Sequence, residues 1–223
     1  MKKSFFITGT DTDVGKTWAT IALMRYFKNK GLSVVGMKPV AAGCVWQDGQ
    51  FKNEDAILMQ ENATFVLDYK EINPYAFELP VSPHLAARGN QVQLDVIEKS
   101  FYDLKDKADV VLVEGAGGWL APLNEECDIA DLAKVLQIPV IMVVAIRLGC
   151  INHARLTFNA MQNSGVQCAG WLAMCVNPEM SKQQENIATI KNKVSAPLLG
   201  VLPYTKEKDF ELLAANIIGE ILI

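Results

Sequence analysis

The segment Gly9-Thr10-Asp11-Thr12-Asp13-Val14-Gly15-Lys16-Thr17 constrains this chain more than any other. It follows an apolar run, Phe5-Phe6-Ile7, and precedes an amphipathic stretch. Strand, glycine-bounded loop and helix follow in that order. Backbone N–H groups of such a loop, with the positive end of the helix, make a site for phosphate. Lys16 adds a mobile cation for the outer phosphates, and the Thr17 hydroxyl can ligate Mg²⁺. The spacing between Gly9 and Gly15 is one residue longer than the standard phosphate-loop pattern, and Thr10 stands at a position usually held by glycine. Its place directly after a strand favours a phosphate loop over an ordinary βα turn. A chain with this start is expected to handle a nucleoside triphosphate.

The remaining sequence repeats the βα theme. Continuous apolar runs predict strands at Ser4–Thr8, Ser33–Met37, Val110–Val113, Val140–Ala145, Gly170–Val176 and Leu198–Val201. Little alternation within them points to parallel strands buried on both faces. Ala19, Ala22, Leu23, Tyr26 and Phe27 form one helical stripe, with Gly31 as its expected C-cap. Leu94, Ile97, Phe101 and Leu104 mark a second helix. Asp128 is placed to cap a third, carrying Leu132, Val135 and Leu136 and ending before Pro139. Phe210, Leu213, Ile217 and Ile221 suggest a terminal helix. Asn73–His84, with three prolines and no period, reads as an ordered loop. The fold class is α/β: residues 1–223 as a single domain, a mostly parallel open sheet with helices on both faces.

Composition excludes several function classes. A net charge of −4 in 223 residues, without a Lys/Arg run, argues against a nucleic-acid surface. The apolar run at the N-terminus stops at Ile7, too short for a signal peptide, and the longest run, Ile138–Ile146, is too short to span a bilayer. Cys44, Cys127, Cys150, Cys168 and Cys175 show no Cys-x-x-Cys spacing. They read as reduced thiols of a cytoplasmic protein, and with two histidines they make no zinc site.

Ligands of such sheets sit beyond the carboxyl ends of the strands. Lys38 follows the second strand and is either a second cation facing Lys16 or a surface lysine before a proline turn. Asp55, behind the potential cap Asn53, is by sequence no more than a helix-dipole partner. Glu114 ends the third strand and opens Gly115-Ala116-Gly117-Gly118. An acid there is what nucleotide-bound Mg²⁺ needs, and the glycines let backbone approach phosphate. Beyond the fourth strand, Asn152 is placed to cap a helix whose amides face an anion. His153 reads as a packing or capping residue and Cys150 as structural.

Eight segments occur in order: GTDTDVGKT, KPVAAG, NEDA, NPYAFELPVSPH, VEGAGGWLAPL, PVIMVV, LGCINHA and APLLGVLP. Together, from the first strand to about Pro203, they resemble the dethiobiotin synthetase family. The resemblance implies an ATP-dependent ring closure on 7,8-diaminononanoate. CO₂ (or bicarbonate) supplies the carbon, Mg²⁺ is required, and the enzyme is a homodimer. It implies that Thr12, Lys16 and Lys38 are catalytic, with Thr12 and Lys38 on the carbamate and the transferring phosphoryl group. Thr17, Asp55 and Glu114 surround the metal, while Asp13, Val14, Gly15, Lys16 and Thr17 line the nucleotide with Glu114, Gly115, Ala116 and Gly117. Gly149, Cys150, Ile151 and Asn152 take the carboxylate tail of a substrate bound in the partner subunit. The loop spacing is this family's own form.

Two positions depart from the family. Ala42 stands where many members place Ser or Thr against the substrate, a loss of one hydrogen bond, on the order of 1 kcal/mol. Met174-Cys175 replace the Asn-Asp whose amide reads adenine, and Asn177 is the remaining amide, two or three residues out of register. These departures leave room for a paralogue that activates a different carboxylate. A positional or partition ATPase is the other alternative, but Thr10 and Asp11 occupy the place of the extra loop lysine such switches carry.

Overall fold

The computed structural model describes residues 2–89 and 91–218. In chain order the elements are β1 (Lys3–Gly9), α1 (Lys16–Lys28), β2 (Val34–Met37), β3 (Val40–Ala41), β4 (Val45–Gln47), β5 (Gln50–Lys52), α2 (Glu54–Asn62), α3 (Tyr69–Ile72), β6 (Tyr75–Ala76) and α4 (Pro83–Ala86). They continue with α5 (Leu94–Lys107), β7 (Val110–Glu114), α6 (Ile129–Leu136), β8 (Val140–Ala145), α7 (Cys150–Asn163), β9 (Cys168–Met174), α8 (Gln183–Lys193), β10 (Leu198–Leu202) and α9 (Phe210–Ala215).

Six strands form the central sheet in the order β10-β9-β8-β1-β7-β2, and all five pairings are parallel. Every residue of β7 and β8 is buried, as their unbroken apolar sequences require. Helices pack around the sheet: α1 against α9 and α2, α5 against α6, and α7 against α8. Phe6, Phe27, Phe101 and Trp171 are fully buried within it. Burial of each phenylalanine contributes roughly 1.5–3 kcal/mol. Among the described residues no helix is long and apolar enough to cross a membrane.

The strand order positions the site. The chain runs from β1 out to the edge strand β2, returns to β7 beside β1, then crosses to β8 on the other side. Connections therefore leave the end of β1 in opposite directions, and a crevice opens there. In register, Ile7 pairs with Glu114 and Gly9 with Val143. The phosphate loop and Glu114 thus emerge side by side.

Several boundaries differ from the sequence expectation. The fifth long strand covers Cys168–Met174, not Gly170–Val176. Its ladder ends where the Cys175 N–H turns to the Leu202 carbonyl. The C-cap of α1 is Asn29, and Gly31 lies two residues further on in left-handed conformation (φ 79°). Helix α9 ends at Ala215, so Ile217 lies beyond it and bridges to Gly200. Ile221 lies outside the described residues. The Asn73–His84 segment holds β6 and the start of α4.

The Asp128 cap is present, with its side chain accepting from the Ala130 and Asp131 N–H groups. Asp128→Ala should lower stability by about 1 kcal/mol, whereas Asp128→Asn should retain most of it. Urea denaturation checks this through a lower midpoint at unchanged slope.

Candidate active site

The loop after β1 is held open for an anion. Asp13 (φ 54°) and Gly15 (φ 86°) both take the left-handed conformation, which turns successive amides to one side. Gly15 is the N-cap of α1, and no side chain caps that helix, so its first-turn amides are free for a ligand. A Cβ at Gly15 would lie 2.7 Å from Met174 Cγ, so the position admits no side chain without displacement. The loop is tied at its other end. The Thr10 N–H donates to the Val143 carbonyl at 3.1 Å, and Arg147 Nη2 reaches Asp11 Oδ2 at 2.9 Å. Lys16 Nζ donates to the Asp11 carbonyl at 2.9 Å, which holds its ammonium over the loop.

Beside the loop lies a cluster of charges. Lys38, just beyond β2, places Nζ 2.6 Å from Glu114 Oε1 and 3.0 Å from Asp55 Oδ2. Glu114 Oε1 also accepts from the Thr17 hydroxyl at 2.9 Å, and its Oε2 lies 2.7 Å from the Thr20 hydroxyl. Lys16, Lys38 and Glu114 are buried. Two ammonium groups and two carboxylates therefore balance in a water-poor setting, where unpaired charge is strongly disfavoured. Lys38 is thus the second cation, not a surface lysine.

The backbone that carries this cluster is fixed by a polar relay. Buried Asn73 donates from Nδ2 to the Lys38 carbonyl at 2.6 Å. Its Oδ1 accepts from the Tyr69 hydroxyl at 2.8 Å, which in turn accepts from the Asn53 N–H at 2.8 Å. Asn53 caps α2 by accepting from the Asp55 N–H at 3.0 Å. Asn73 thus connects the main chain at Lys38 with that at Asp55.

A cleft of about 870 Å³ opens over the loop and the cluster. Thr12, Asp13, Gly15, Lys16, Thr17, Lys38, Asp55, Glu114, Ala116 and Gly117 all line it. Val14 is buried in the core, and the Gly115 N–H is engaged by the Ile7 carbonyl; neither lines the cleft. Gly149, Cys150, Ile151 and Asn152 do not line the cleft. Asn152 is not the cap of α7: Gly149 is, at φ 92°, and Asn152 sits inside the helix. His153 and Cys150 line no part of the cleft.

The Asn73–His84 loop, which the family resemblance sets near the substrate, lines the cleft through Pro80–Pro83; sequence reasoning missed Thr20, on Glu114, and the Pro203–Thr205 wall. Thr20 shares a helix face with Thr17 at i, i+3, a detectable signal. Pro203 follows directly after β10, so the strand-end rule applied to the last strand would have found it.

Thr17, Asp55 and Glu114 offer only oxygen donors, the chemistry Mg²⁺ prefers. Among the described residues no group of three or more His, Cys, Asp or Glu side chains forms a metal cage.

Burial lowers Lys16 to about 8, and the neighbouring Lys38 charge adds to the effect. Burial alone would also lower Lys38, but Glu114 and Asp55 outweigh it and hold the group above the ordinary lysine value. Burial opposes ionisation of Asp55, yet Lys38 draws it below the usual carboxylate range. Bound phosphate favours protonated Lys16, so nucleotide binding above pH about 8 takes up a proton. Affinity for ATP should fall above that pH, by up to about tenfold per unit. Titration calorimetry across this range checks it; Lys16→Met should bind weakly with no such dependence.

Comparison with known proteins agrees with this geometry. A family model described as an AAA domain matches residues 3–211. The MinD cell division protein of Aquifex aeolicus matches with a TM-score of 0.59 at 17% identity, over 96% of this chain and 87% of that one. That likeness concerns the fold alone. The ATP-dependent dethiobiotin synthetase BioD of Xanthomonas oryzae pv. oryzae (strain PXO99A) is 43% identical over 208 residues, covering 92% of this chain and 93% of that protein. The protein of the same name from Nitrosospira multiformis is 44% identical over 211 residues, covering 94% of this chain and 92% of its own length. With its phosphate loop, its paired lysines and these relatives, the chain belongs to the dethiobiotin synthetase family.

Proposed function

We propose that this protein is an ATP-dependent dethiobiotin synthetase that closes a cyclic urea on 7,8-diaminononanoate. One amine nitrogen adds to CO₂ and loses a proton, giving a carbamate. A carbamate oxygen takes the γ-phosphoryl group, and ADP leaves. The second amine then attacks the carbamate carbon, loses its proton, and phosphate departs with the C–O electron pair.

The observation that carries this reading is the Lys38 ammonium, within hydrogen-bonding distance of two carboxylates in the cleft that also holds the phosphate loop. A carbamate and a γ-phosphate must meet there as anions. Two unit charges about 4 Å apart repel by about 4 kcal/mol at an effective dielectric of 20. Offsetting that is worth about three orders of magnitude in rate. Lys16 and Lys38 supply fixed positive charge to both anions, and Thr12 contributes a hydroxyl on the same wall. When bound, Mg²⁺ would be held by Thr17, Asp55 and Glu114 and would neutralise charge on the phosphate oxygens. Ala42 lines the cleft and offers the substrate no hydroxyl, which costs affinity rather than chemistry.

The working unit is a homodimer. Leu148 is 98% exposed beside Gly149 at the start of α7. Gly149–Asn152 of one copy would present that helix start to the substrate carboxylate in the cleft of the other.

Phosphate release from ATP should depend on the diamine and bicarbonate, and release indifferent to the diamine would refute the reading. Lys38→Ala should abolish turnover and lower the melting temperature, with the near-ultraviolet circular dichroism native well below that temperature. Near-normal activity in that variant would remove Lys38 from the chemistry.

A further inference from the structure

Lys38 lies one residue beyond the last rung of the central sheet, where Met37 of β2 pairs with Val113. Asp55 stands in the first turn of α2, outside the sheet altogether. A lysine ammonium rides on a flexible four-carbon stem. To aim its charge at reacting atoms it needs a fixed main chain beneath it.

That main chain is held from both sides. The Lys38 N–H donates to the Ile72 carbonyl at 2.9 Å, and the Lys38 carbonyl accepts from Asn73 Nδ2 at 2.6 Å. Asn73 Nδ2 gives its other hydrogen to the Tyr75 carbonyl at 3.1 Å. Both donors of the amide are therefore in use, and Oδ1 takes the Tyr69 hydroxyl. Burial pushes the Tyr69 phenol up to about 12. It stays protonated, so it can donate to Asn73 while it accepts from the Asn53 N–H beside Asp55. Asn73 is 2% exposed, and neither it nor Tyr69 lines the cleft.

We propose that Asn73 is a positioning residue for the ring closure: its amide, backed by the Tyr69 hydroxyl, sets the main chain of Lys38 in register with that of Asp55. The inference rests on the reading above, in which Lys38 acts on the carbamate and the γ-phosphoryl group. Without the amide, the Lys38 carbonyl is left unpaired in a buried setting and shifts to find a partner. A displacement near 1 Å costs about a hundredfold in rate. The phosphate loop is tied separately, through Thr10 to Val143 and Asp11 to Arg147. Its grip on ADP is independent of the relay.

Steady-state kinetics with the diamine, bicarbonate and Mg-ATP, and calorimetry with ADP in the absence of Mg²⁺, test this below the melting temperature of each variant. Tyr69→Phe removes one link and should lower kcat about tenfold. Asn73→Asp keeps the shape but sets an oxygen against the Lys38 carbonyl, and should lower kcat about a hundredfold. In both, KM for ATP and affinity for ADP should stay at wild-type values. The double variant should be no slower than Asn73→Asp alone, because the two side chains act in one chain. If Asn73→Asp fails to fold, Tyr69→Phe carries the test. Variants that melt lower yet keep the wild-type kcat would make the relay merely structural and overturn the inference. So would a parallel loss of ADP affinity, or a double variant slowed about a thousandfold by independent effects. A wild type that releases no phosphate in response to the diamine would refute the reading above and this inference with it.

Discussion

The top of the sheet depends on one ammonium group lying between two carboxylates. Lys38 comes from the end of β2, Asp55 from the first turn of α2 and Glu114 from the end of β7. Removing one member of such a buried cluster leaves uncompensated charge, typically worth 3–5 kcal/mol. The ion cluster therefore aligns three separate segments. Thr17 and Thr20 donate to Glu114 as well, joining α1 to the same point and leaving a lone pair on Oε2. The Asn73 relay does the equivalent for the main chain.

This arrangement gives the cleft a gradient of polarity. Near Lys38 charges are paired and mostly shielded from water, so each retains more of its strength than it would at the surface. Near Met174 and Pro203 the wall is apolar or neutral. A nucleotide has the matching profile, with its charge at the phosphate end and its flat π-system at the other.

Much of this was legible in the sequence, for identifiable reasons. Strands buried on both faces, such as Val110–Val113 and Val140–Ala145, are unbroken apolar runs, and the structure keeps them nearly residue for residue. The glycine-bounded loop and Glu114 sit directly at strand ends, where the α/β rule directs attention. Asp55 carries no such mark. Two residues into a helix it resembles any dipole partner, and only the fold of α2 against β2 brings it to Lys38. Helix α8 went unnoticed because its buried apolar residues are just Ile187 and Ile190, too few for a periodic signal. The pairing of β3 with β6 spans two residues, below what alternation can register. Asn177, already out of register by sequence, belongs to the turn that follows once β9 stops at Met174.

Met174 bears directly on the loop, since its side chain fills the space a Cβ at Gly15 would need. The loop after β1 and the end of β9 are consequently one packing unit, not two adjoining modules. A substitution that reshapes the cleft at this residue also moves the support of the loop. Mutational effects on the two segments should therefore be epistatic. A thioether suits that shared position, because its flexible, polarisable chain adapts to irregular neighbours.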